Sequence, residues 1–323
     1  MTDRRQFDFL PNTVTSILTS PGVLYIYHAG TSGYSNAAKG YIYQLSKEKV
    51  PVTICPIGID DSTIAETSSF DLFIYKHKTE VRYNTIVVHS TPDMWDTLLT
   101  LSKKQLTGKT IIGRTVWEFD KLPLNWVDAI NNSIVSTVSV PTQWNKLAFE
   151  QSGVTKPIIV EPHVNVTFPY TKISLDELIS KHGEVLFNNE VDCKLNTKDL
   201  YKFFTIGQYI PRKGISETIE SYCKAFSRHD NTLLIVKTFG KNYSPCEVDK
   251  CRLKIKEIID ANTTERGHAP IVFIKNPFTY DEIQSLHDDC DCYVQLTRSE
   301  GFGLGIFESY NKGKKVIVTN HGG

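Results

Sequence analysis

Short strand-like runs alternate with helix-like segments along almost the whole chain of 323 residues. The first run, at residues 23–27, is followed by a glycine-containing loop and a helical segment, and this order repeats up to residue 161. Strands separated by helices in this way predict parallel sheets with helices on both faces. The alternation stops near residue 164 and starts again at residue 203. We therefore expect an α/β protein with two Rossmann-like, doubly wound parallel-sheet domains that face a cleft.

The break in the alternation sets the predicted domain limits. Residues 1–165 form the first domain, residues 166–199 a connection or insertion, and residues 200–323 the second domain, sizes that are common for domains. Within them, residues 71–75 are predicted to be a strand and residues 175–182 a polar helix. Ligands of doubly wound sheets bind beyond the carboxyl ends of the strands. The loops that follow strands are therefore where function is expected.

The charge balance argues against a nucleic-acid partner. Lys and Arg number 36 and Asp and Glu number 36, so the formal net charge is zero. A nucleic-acid binder would carry an excess of basic residues. A basic cluster in the first domain, at Lys103, Lys104 and Lys109, favours a solvated surface, although peripheral membrane contact stays open.

The cysteines and the apolar runs bear on the compartment. Seven cysteines, an odd number in a long chain, favour reduced thiols over a disulfide scaffold. No apolar run is long enough for a signal peptide or a membrane span. We expect a cytoplasmic protein. The cysteines are Cys55, Cys193, Cys223, Cys246, Cys251, Cys290 and Cys292.

The strongest motif is TRSEGFGLGIFE at residues 297–308, which follows a predicted strand and enters a helix. Its three glycines let the backbone approach a ligand and leave N–H groups at a helix N-terminus, an arrangement that suits phosphate. The carboxylate of Glu308 can accept two hydrogen bonds from a vicinal diol such as ribose. On spacing alone, a glycine-rich turn with a solvated glutamate at the helix start is an equal alternative.

The second motif, GQYIPRKG at residues 207–214, also lies between a strand and a helix. A lysine beside a glycine at a helix N-terminus, here Lys213, can hold a phosphate, and a solvated basic turn is the alternative. Weaker candidates lie in the first domain. These are Gly30 and Gly33 in a loop after a strand, and His89 at a strand end, where a lone histidine is more often structural.

The pair Glu300 and Glu308 forms the Glu-x7-Glu pattern of retaining GT-B glycosyltransferases of family four, the glycosyl transferases group 1. The string ESYNKGKKVIVTNHGG also resembles that family. The resemblance implies that Glu300 contacts the transferred sugar and that Glu308 binds the nucleotide ribose. It further implies that the donor phosphates lie against the loop between them, which contains Gly301, Phe302, Gly303, Leu304 and Gly305.

The segment IGQYIPRKGISETIESYCKAF resembles the family's diphosphate-binding element, Gly-Arg-x4-Lys-Gly. Lys213 matches the family lysine, but Gln208 stands at the family arginine, and we expect Arg212 to compensate. The resemblance also implies that His89 contacts the donor sugar. Gly30 and Gly33 would approach the acceptor or the donor phosphates.

The resemblance implies an enzyme that transfers a sugar from a nucleotide diphosphate sugar to an acceptor hydroxyl with retention. Glu300, Lys213 and His89 would be catalytic. No metal and no cofactor other than the donor are expected, and Asp289-Cys-Asp291 is taken as structural. The acceptor, whether glycan, lipid or protein, stays open. Because family members continue past the final glycines, the second domain is expected to be incomplete.

Three alternatives remain. The chain could be a non-catalytic module that binds a nucleotide sugar, as the altered Gln208 position would suit. It could be a glycoside hydrolase with Glu300 and Glu308 as acid and nucleophile, although such an enzyme needs no phosphate loop. A nucleotide-sugar epimerase on the same fold is the third.

Overall fold

The structure, a computed structural model, describes residues 21–30, 32–58, 68–78, 81–100, 106–186 and 195–323. Cys193 and two residues of the basic cluster, Lys103 and Lys104, lie outside these ranges. The chain divides into two compact units. The first comprises Met1–Phe168, Glu300–Leu304 and Gly322–Gly323, and the second comprises Pro169–Ser299 and Gly305–His321. The domain limits at residues 165 and 200 stay predictions.

The first unit contains a six-stranded parallel sheet in the order β2-β1-β3-β4-β5-β6. The strands are β1 (Gly22–His28), β2 (Val52–Ile57), β3 (Tyr83–His89), β4 (Thr110–Arg114), β5 (Thr137–Val140) and β6 (Ile158–Val160). The helices between them are α1 (Gly33–Lys47), α2 (Ser69–Tyr75), α3 (Trp95–Leu99), α4 (Leu124–Asn132) and α5 (Gln143–Gln151). Since the chain leaves β1 for β2 on one side and returns to β3 on the other, the strand order reverses between β1 and β3.

The predicted strand at residues 71–75 is wrong, because this segment is helix α2. Ser68 caps the helix, accepting a hydrogen bond from the backbone N–H of Asp71 at 3.2 Å. Phe70 and Ile74 are buried while Leu72 is half exposed, and burial four residues apart is helical spacing. The serine cap was the signal in the sequence that favoured a helix.

The second unit contains a six-stranded sheet in the order β12-β11-β8-β9-β10-β7. Its strands are β7 (Gly183–Leu186), β8 (Tyr201–Gln208), β9 (Thr232–Phe239), β10 (Ile271–Ile274), β11 (Cys292–Gln295) and β12 (Lys315–Val318). Its helices are α6 (Leu175–His182), α7 (Ile215–Ala225), α8 (Pro245–Asn262), α9 (Tyr280–Asp289) and α10 (Leu304–Asn311). The predicted α/β class with two parallel sheets is confirmed.

Part of the predicted connection belongs to the second sheet. Strand β7 pairs antiparallel with β10 at the sheet edge, while every other pairing in this sheet is parallel. Helix α6 places Leu175 and Leu178 in a core cluster with Phe204 of β8. Residues 175–186 are thus structural elements of the second unit.

The described cysteines are free thiols, and most of them are buried. Burial raises the pKa of Cys55 and Cys223 to about 11, which keeps both thiols protonated at neutral pH. Across the described ranges, no helix combines the length and apolar character that crossing a membrane requires.

Candidate active site

The strand order of the second sheet reverses between β8 and β11. From β8 the chain builds β9 and β10 on one side, and β11 and β12 follow on the other. In doubly wound sheets a ligand binds beyond the carboxyl ends of the strands that flank such a reversal. The two motifs predicted from the sequence lie at these two strand ends, because one begins with the last two residues of β8 and the other begins two residues after Gln295, the end of β11.

The turn after β8 fixes the position of Lys213. Pro211–Lys213 form one turn of 3-10 helix, and Gly214 leads into α7. A Cβ atom at Gly207 would lie 3.7 Å from the Lys213 side chain, so the methylene chain of the lysine lies over the end of β8. Gly214 has a φ of +63°, and a Cβ atom there would lie 1.9 Å from the carbonyl oxygen of Leu296. Only glycine fits this position.

Arg212 connects the loop after β8 with the loop after β11. Its carbonyl oxygen accepts hydrogen bonds from the N–H of Arg298 and the hydroxyl of Thr297, both at 2.8 Å. Its guanidinium donates from Nη1 to the carbonyl oxygen of Ser299 at 2.9 Å. The structure therefore brings the two predicted motifs together within the second unit, and Arg212 is the residue that joins them.

Gln208 occupies the position where the family pattern has an arginine. Its amide donates from Nε2 to the carbonyl oxygen of Gly240 at 2.9 Å. This contact holds the loop after β9, since Gln208 pairs with Phe239 in the sheet. Gln208 thus supplies a backbone contact and no charge, while the cationic groups of this turn are Arg212 and Lys213.

Glu308 lies in α10, one turn after Gly305. The backbone at Gly305 passes so close to Tyr293 that a Cβ atom would lie 2.5 Å from the tyrosine hydroxyl. The Glu308 side chain is 31% exposed, and its Oε2 lies 3.4 Å from Nε2 of His287. Glu308 therefore presents a carboxylate that is partly open to solvent and backed by a buried imidazole.

The two carboxylates of the Asp289-Cys-Asp291 segment make contacts within the second unit. Asp289 accepts from the N–H of Leu175 at 2.9 Å and pairs with Lys172. Asp291 accepts from the N–H of Lys202 at 2.7 Å. Among the residues that the structure describes, no group of three His, Cys, Asp or Glu side chains is arranged to hold a metal ion.

Glu300–Leu304, the middle of the glycine motif, belongs by its contacts to the first unit. Asn145 donates from Nδ2 to the carbonyl oxygen of Gly301 at 3.2 Å. A Cβ atom at Gly301 would lie 2.2 Å from the side chain of Val116, so this glycine is required by close packing. The ring of Phe302 lies 4.4 Å from that of His163.

Glu300 itself is buried, with 7% of its surface exposed. Its carbonyl oxygen accepts from the N–H of Gly323 at 2.8 Å. The backbone on both sides of the Glu300 side chain is thus held in place.

His89 is buried at the carboxyl end of β3, in the first unit. Its Nδ1 lies 3.0 Å from the hydroxyl of Tyr25. Burial, followed by the charge of Arg114, lowers the pKa of His89 well below its usual value, so the ring is neutral. Its predicted contact with a donor sugar stays a prediction.

Gly30 and Gly33 lie beside the strand reversal of the first sheet, with open space next to them. Nothing lies within 4 Å of a Cβ atom built at either residue. The carbonyl oxygen of Gly30, which has a φ of +114°, accepts from Ser35 at 2.7 Å and from Lys39 at 2.8 Å. The loop is anchored at Gly30, and its approach to a ligand stays a prediction.

Residues that sequence reasoning missed surround His89. Arg114, 4% exposed at the end of β4, donates from Nη1 to Glu161 at 2.6 Å and to Ser139 at 2.8 Å. It also donates to the hydroxyl of Tyr41 and lies over that ring. An arginine that ends a buried strand was the available signal, because a buried charge needs partners.

Comparison with known proteins gives one family match. The model for glycosyl transferases group 1 matches residues 189–323. A protein of Methanocaldococcus jannaschii described as an uncharacterized glycosyltransferase is 26% identical over 155 residues, which are 48% of this chain and 39% of that protein. The chain thus spans 39% of the length of this curated relative.

Solved structures resemble the chain over most of its length. Anabaena HepE in complex with UDP and glucose has a TM-score of 0.60 at 14% identity, covering 94% of this chain and 82% of its own. A glycosyltransferase from Rickettsia africae has a TM-score of 0.59 at 13% identity, and the match covers 95% of this chain and 81% of that one. An Escherichia coli trehalose-6-phosphate protein bound with UDP-2-fluoro glucose has a TM-score of 0.57 at 10% identity, and the match covers 92% of this chain and 84% of that one. Residues 189–323 therefore resemble the glycosyl transferases group 1, and the chain has the GT-B fold.

Proposed function

We propose that this chain is a retaining glycosyltransferase, which moves a sugar from a nucleotide diphosphate sugar to an acceptor hydroxyl. The observation that carries the proposal is the junction at the strand reversal of the second sheet. There Arg212 joins the loop that positions Lys213 to the loop that begins the glycine motif. A turn with two cations suits a diphosphate, because negative charge grows on that group as it departs.

The nucleotide end of the donor is assigned to the second unit. Lys213 meets the departing diphosphate as a point charge, and Arg212 adds a second cation. Glu308 accepts hydrogen bonds from the ribose hydroxyls through its solvent-accessible carboxylate. The N–H group of Gly305, at the start of α10, supplies a further donor toward phosphate.

The sugar end of the donor is assigned to Glu300 and His89. Glu300 accepts hydrogen bonds from the sugar hydroxyls. His89 uses Nδ1 for Tyr25, so its contact with the sugar would be made through Nε2 of a neutral ring. His89 is therefore a hydrogen-bonding group in this proposal and not a proton donor that cycles during turnover.

The chemistry balances without an enzyme nucleophile. The bond between the anomeric carbon and the diphosphate oxygen breaks, and the electron pair stays with the diphosphate. The acceptor oxygen forms its bond on the same face of the sugar, and its proton passes to the departing phosphate oxygen. The configuration of the anomeric carbon is thereby retained, and the binding of both substrates supplies much of the acceleration.

A uridine nucleotide is the first donor to test. The Anabaena structure contains UDP and glucose, and the Escherichia coli structure contains UDP-2-fluoro glucose. Both resemble this chain in fold. UDP-glucose is therefore the first sugar conjugate to compare with those of GDP and ADP.

Thermal shift measurements on the full chain test the donor site. UDP, GDP and ADP and their sugar conjugates are added at saturating concentration, where a specific ligand at 100 times its Kd stabilises the folded state by about 2.7 kcal/mol. We expect one nucleotide to raise Tm, and Glu308→Ala and Lys213→Ala to lose the effect. Glu257→Ala and Lys256→Ala, two exposed positions on α8, are the matched controls.

The absence of a shift with every nucleotide would contradict the proposal. If a donor binds, an acceptor screen with NMR detection of the product anomer tests transfer and retention. Binding without transfer to any acceptor supports the non-catalytic module instead, and release of free sugar supports a hydrolase.

A further inference from the structure

We propose that His287 is a positioning residue that aims the Glu308 carboxylate at the ribose of the nucleotide. It would thereby set the preference for a ribonucleotide over its 2′-deoxy form. This inference rests on the proposed function and names a residue outside both sequence motifs. The observation behind it is a buried polar atom. Within the described parts of the chain, Nε2 of His287 has no hydrogen-bond partner, and it lies 3.4 Å from Oε2 of Glu308.

The His287 ring is held rigidly behind Glu308. Its side chain is fully buried. The edge-to-face partner is Phe204 of β8, with ring centroids 5.1 Å apart and an interplanar angle of 87°. Tyr293 of β11 lies nearly parallel to the imidazole, at 15° and 6.3 Å. Because two rings from neighbouring strands fix its plane, Nε2 has a set position, 3.4 Å from the Glu308 carboxylate.

The opposite nitrogen is anchored to the same helix as Glu308. Nδ1 of His287 lies 2.9 Å from the hydroxyl of Ser309. That hydroxyl also donates to the carbonyl oxygen of Gly305 at 2.7 Å. His287 therefore contacts two consecutive residues of α10, one through each ring nitrogen, and it links this helix to α9.

Hydrogen-bond counting indicates which atom carries the proton. A bare Nε2 would direct a lone pair at a carboxylate, which is repulsive, whereas Nε2–H is attracted to it. Two proton arrangements place a hydrogen on Nε2. In one, the ring is neutral and accepts at Nδ1 from the Ser309 hydroxyl, which then no longer donates to Gly305. In the other, the ring is doubly protonated and donates to Ser309 and to Glu308.

The surrounding charges leave Glu308 as the ionic partner of this ring. From α9, the neighbouring Asp288 pairs with Lys312 at 2.7 Å, so these two charges offset each other. The residues that pack on the ring from β8 and β11, Phe204 and Tyr293, carry no formal charge at neutral pH. The distance of 3.4 Å is longer than an ordinary hydrogen bond, so the link is an electrostatic restraint on the carboxylate.

The restraint has a consequence for ligand choice. With Oε2 oriented by His287, the remaining lone pairs of Glu308 are preorganised to accept from a vicinal diol. Preorganisation spares the ligand the cost of ordering the side chain. A 2′-deoxyribose offers one hydroxyl fewer and gains less from an oriented carboxylate. The ratio of affinities for the two sugars is therefore the quantity that His287 should control.

Two substitutions separate the two nitrogens of the ring. The side chain of His287→Gln places an amide near the Nε2 position, facing Glu308, whereas His287→Asn reaches only to the Nδ1 position, facing Ser309.

We expect the full chain to bind UDP about 10-fold more tightly than 2′-deoxy-UDP, the factor typical of one hydrogen bond to a charged group. This ratio should fall to about 2-fold in His287→Asn and stay near 5-fold in His287→Gln. His182→Gln, a buried histidine beside Glu282, is the matched control and should leave the ratio unchanged.

Isothermal titration calorimetry with UDP and 2′-deoxy-UDP measures the ratio. A loss of affinity that is equal for both nucleotides in His287→Asn and His287→Gln would show a purely structural role and overturn the inference. An unchanged ratio in both variants would overturn it as well. Failure of the wild-type chain to bind UDP, GDP or ADP is a separate result, because it contradicts the proposed function itself.

A measurement on the wild-type chain covers the case in which the variants do not fold. In 15N NMR spectra of the histidine side chains, Nε2 of His287 should carry a proton and should shift more on titration with UDP than with 2′-deoxy-UDP. A bare Nε2, or equal responses to both nucleotides, would overturn the inference.

Discussion

At the carboxyl edge of the first sheet, aromatic rings and the ion pair of the buried Arg114 with Glu161 surround His89, while the corresponding edge of the second sheet carries half-buried cations. The ring centroids of Tyr25, Tyr34 and Tyr41 lie 6.0, 5.7 and 6.1 Å from that of His89. In the second unit, Arg212 and Lys213, which are half-buried, lie at the strand reversal. Both sheets are doubly wound, yet the side chains at their ligand-binding edges differ in kind.

The two edges suit different roles, one keeping histidines neutral and the other presenting positive charge. Buried neutral histidines need a closed environment, because burial disfavours the charged ring. A diphosphate needs cations that reach solvent, because the ligand arrives hydrated and charged. We therefore expect sensitivity to acid in the first unit and, under the proposed function, the binding of anions in the second.

Acid should destabilise the first unit most. Burial and the Arg114 charge lower the pKa of His163 to about 3 and that of His89 well below its usual value. Below pH 6.5 the two histidines bind protons in the unfolded chain but not in the folded unit. Their contribution to the free energy of unfolding is therefore present in full above that pH and falls as the pH decreases. The slope is about 1.4 kcal/mol per pH unit for each histidine, or about 5 kcal/mol for the pair between pH 6.5 and 4.5.

Tryptophan fluorescence checks this expectation, because all four tryptophans, Trp95, Trp117, Trp126 and Trp144, belong to the first unit. Denaturant unfolding followed by fluorescence should show a steep loss of stability below pH 6.5, with a shallower slope in His163→Gln. A wild-type slope near zero between pH 6.5 and 4.5 would break the assignment of acid sensitivity to this unit.

Gly214→Ala should be the most damaging small substitution in the second unit. The methyl group would need a φ of +63° and would lie 1.9 Å from the carbonyl oxygen of Leu296. Strain and overlap together should cost about 3 kcal/mol of unfolding free energy and displace Lys213. Gly33→Ala, with open space at the start of α1, should change stability by less than about 0.5 kcal/mol. Equal stability of the two variants in urea would refute the close packing of the two loops.

Glu282 should give the second unit its own acid transition at lower pH. Burial would raise the pKa of this carboxyl, but hydrogen bonds from Thr279, Lys181 and His182 outweigh burial and lower it to about 2. A carboxyl with a depressed pKa stabilises the folded state at pH values above its unfolded pKa. This stabilisation is lost as the pH falls, here between about pH 4.5 and 2. The contribution is on the order of 3 kcal/mol. Far-UV circular dichroism should show a second acid transition at lower pH than the one seen by tryptophan fluorescence. Glu282→Gln, which lacks the titrating group, should lower stability at neutral pH and remove the loss between about pH 4.5 and 2.

The regular elements were accessible from the sequence, because apolar runs alternate with helical segments. Helix α2 was missed since its apolar residues mimic a short strand, although Ser68 marked a helix start. Strand β7 was missed because four residues carry little periodicity and its pairing with β10 is a tertiary contact. Local sequence patterns thus identified the other elements, whereas α2 depended on its N-terminal cap and β7 on its pairing at the sheet edge.

The candidate site was accessible only in part. Lys213 and Gly214 were recognised because glycine marks a backbone position that other residues cannot adopt. The bond from Arg212 to Ser299 and the position of His287 behind Glu308 join residues far apart in the chain, so no local pattern encodes them. The contacts of Glu300–Leu304 with Asn145 and Val116 are equally non-local.

Arg212 and Lys213, the two cations at the strand reversal of the second unit, should contribute unequally to nucleotide binding. The difference between their contributions is the smallest effect that we expect. The Arg212 guanidinium already donates to Ser299, so part of its hydrogen-bonding capacity serves the loop. We expect Lys213→Ala to weaken UDP binding about 10-fold and Arg212→Ala about 5-fold, each within the range for a hydrogen bond to a charged group. The Arg212 loss should also lower Tm without ligand, because it removes the bond to Ser299. Calorimetric titrations with UDP and UMP measure the difference, because only UDP carries the second phosphate. An Arg212→Ala variant with unchanged Tm and a 10-fold loss for UDP alone would mean that Arg212, and not Lys213, is the principal diphosphate ligand.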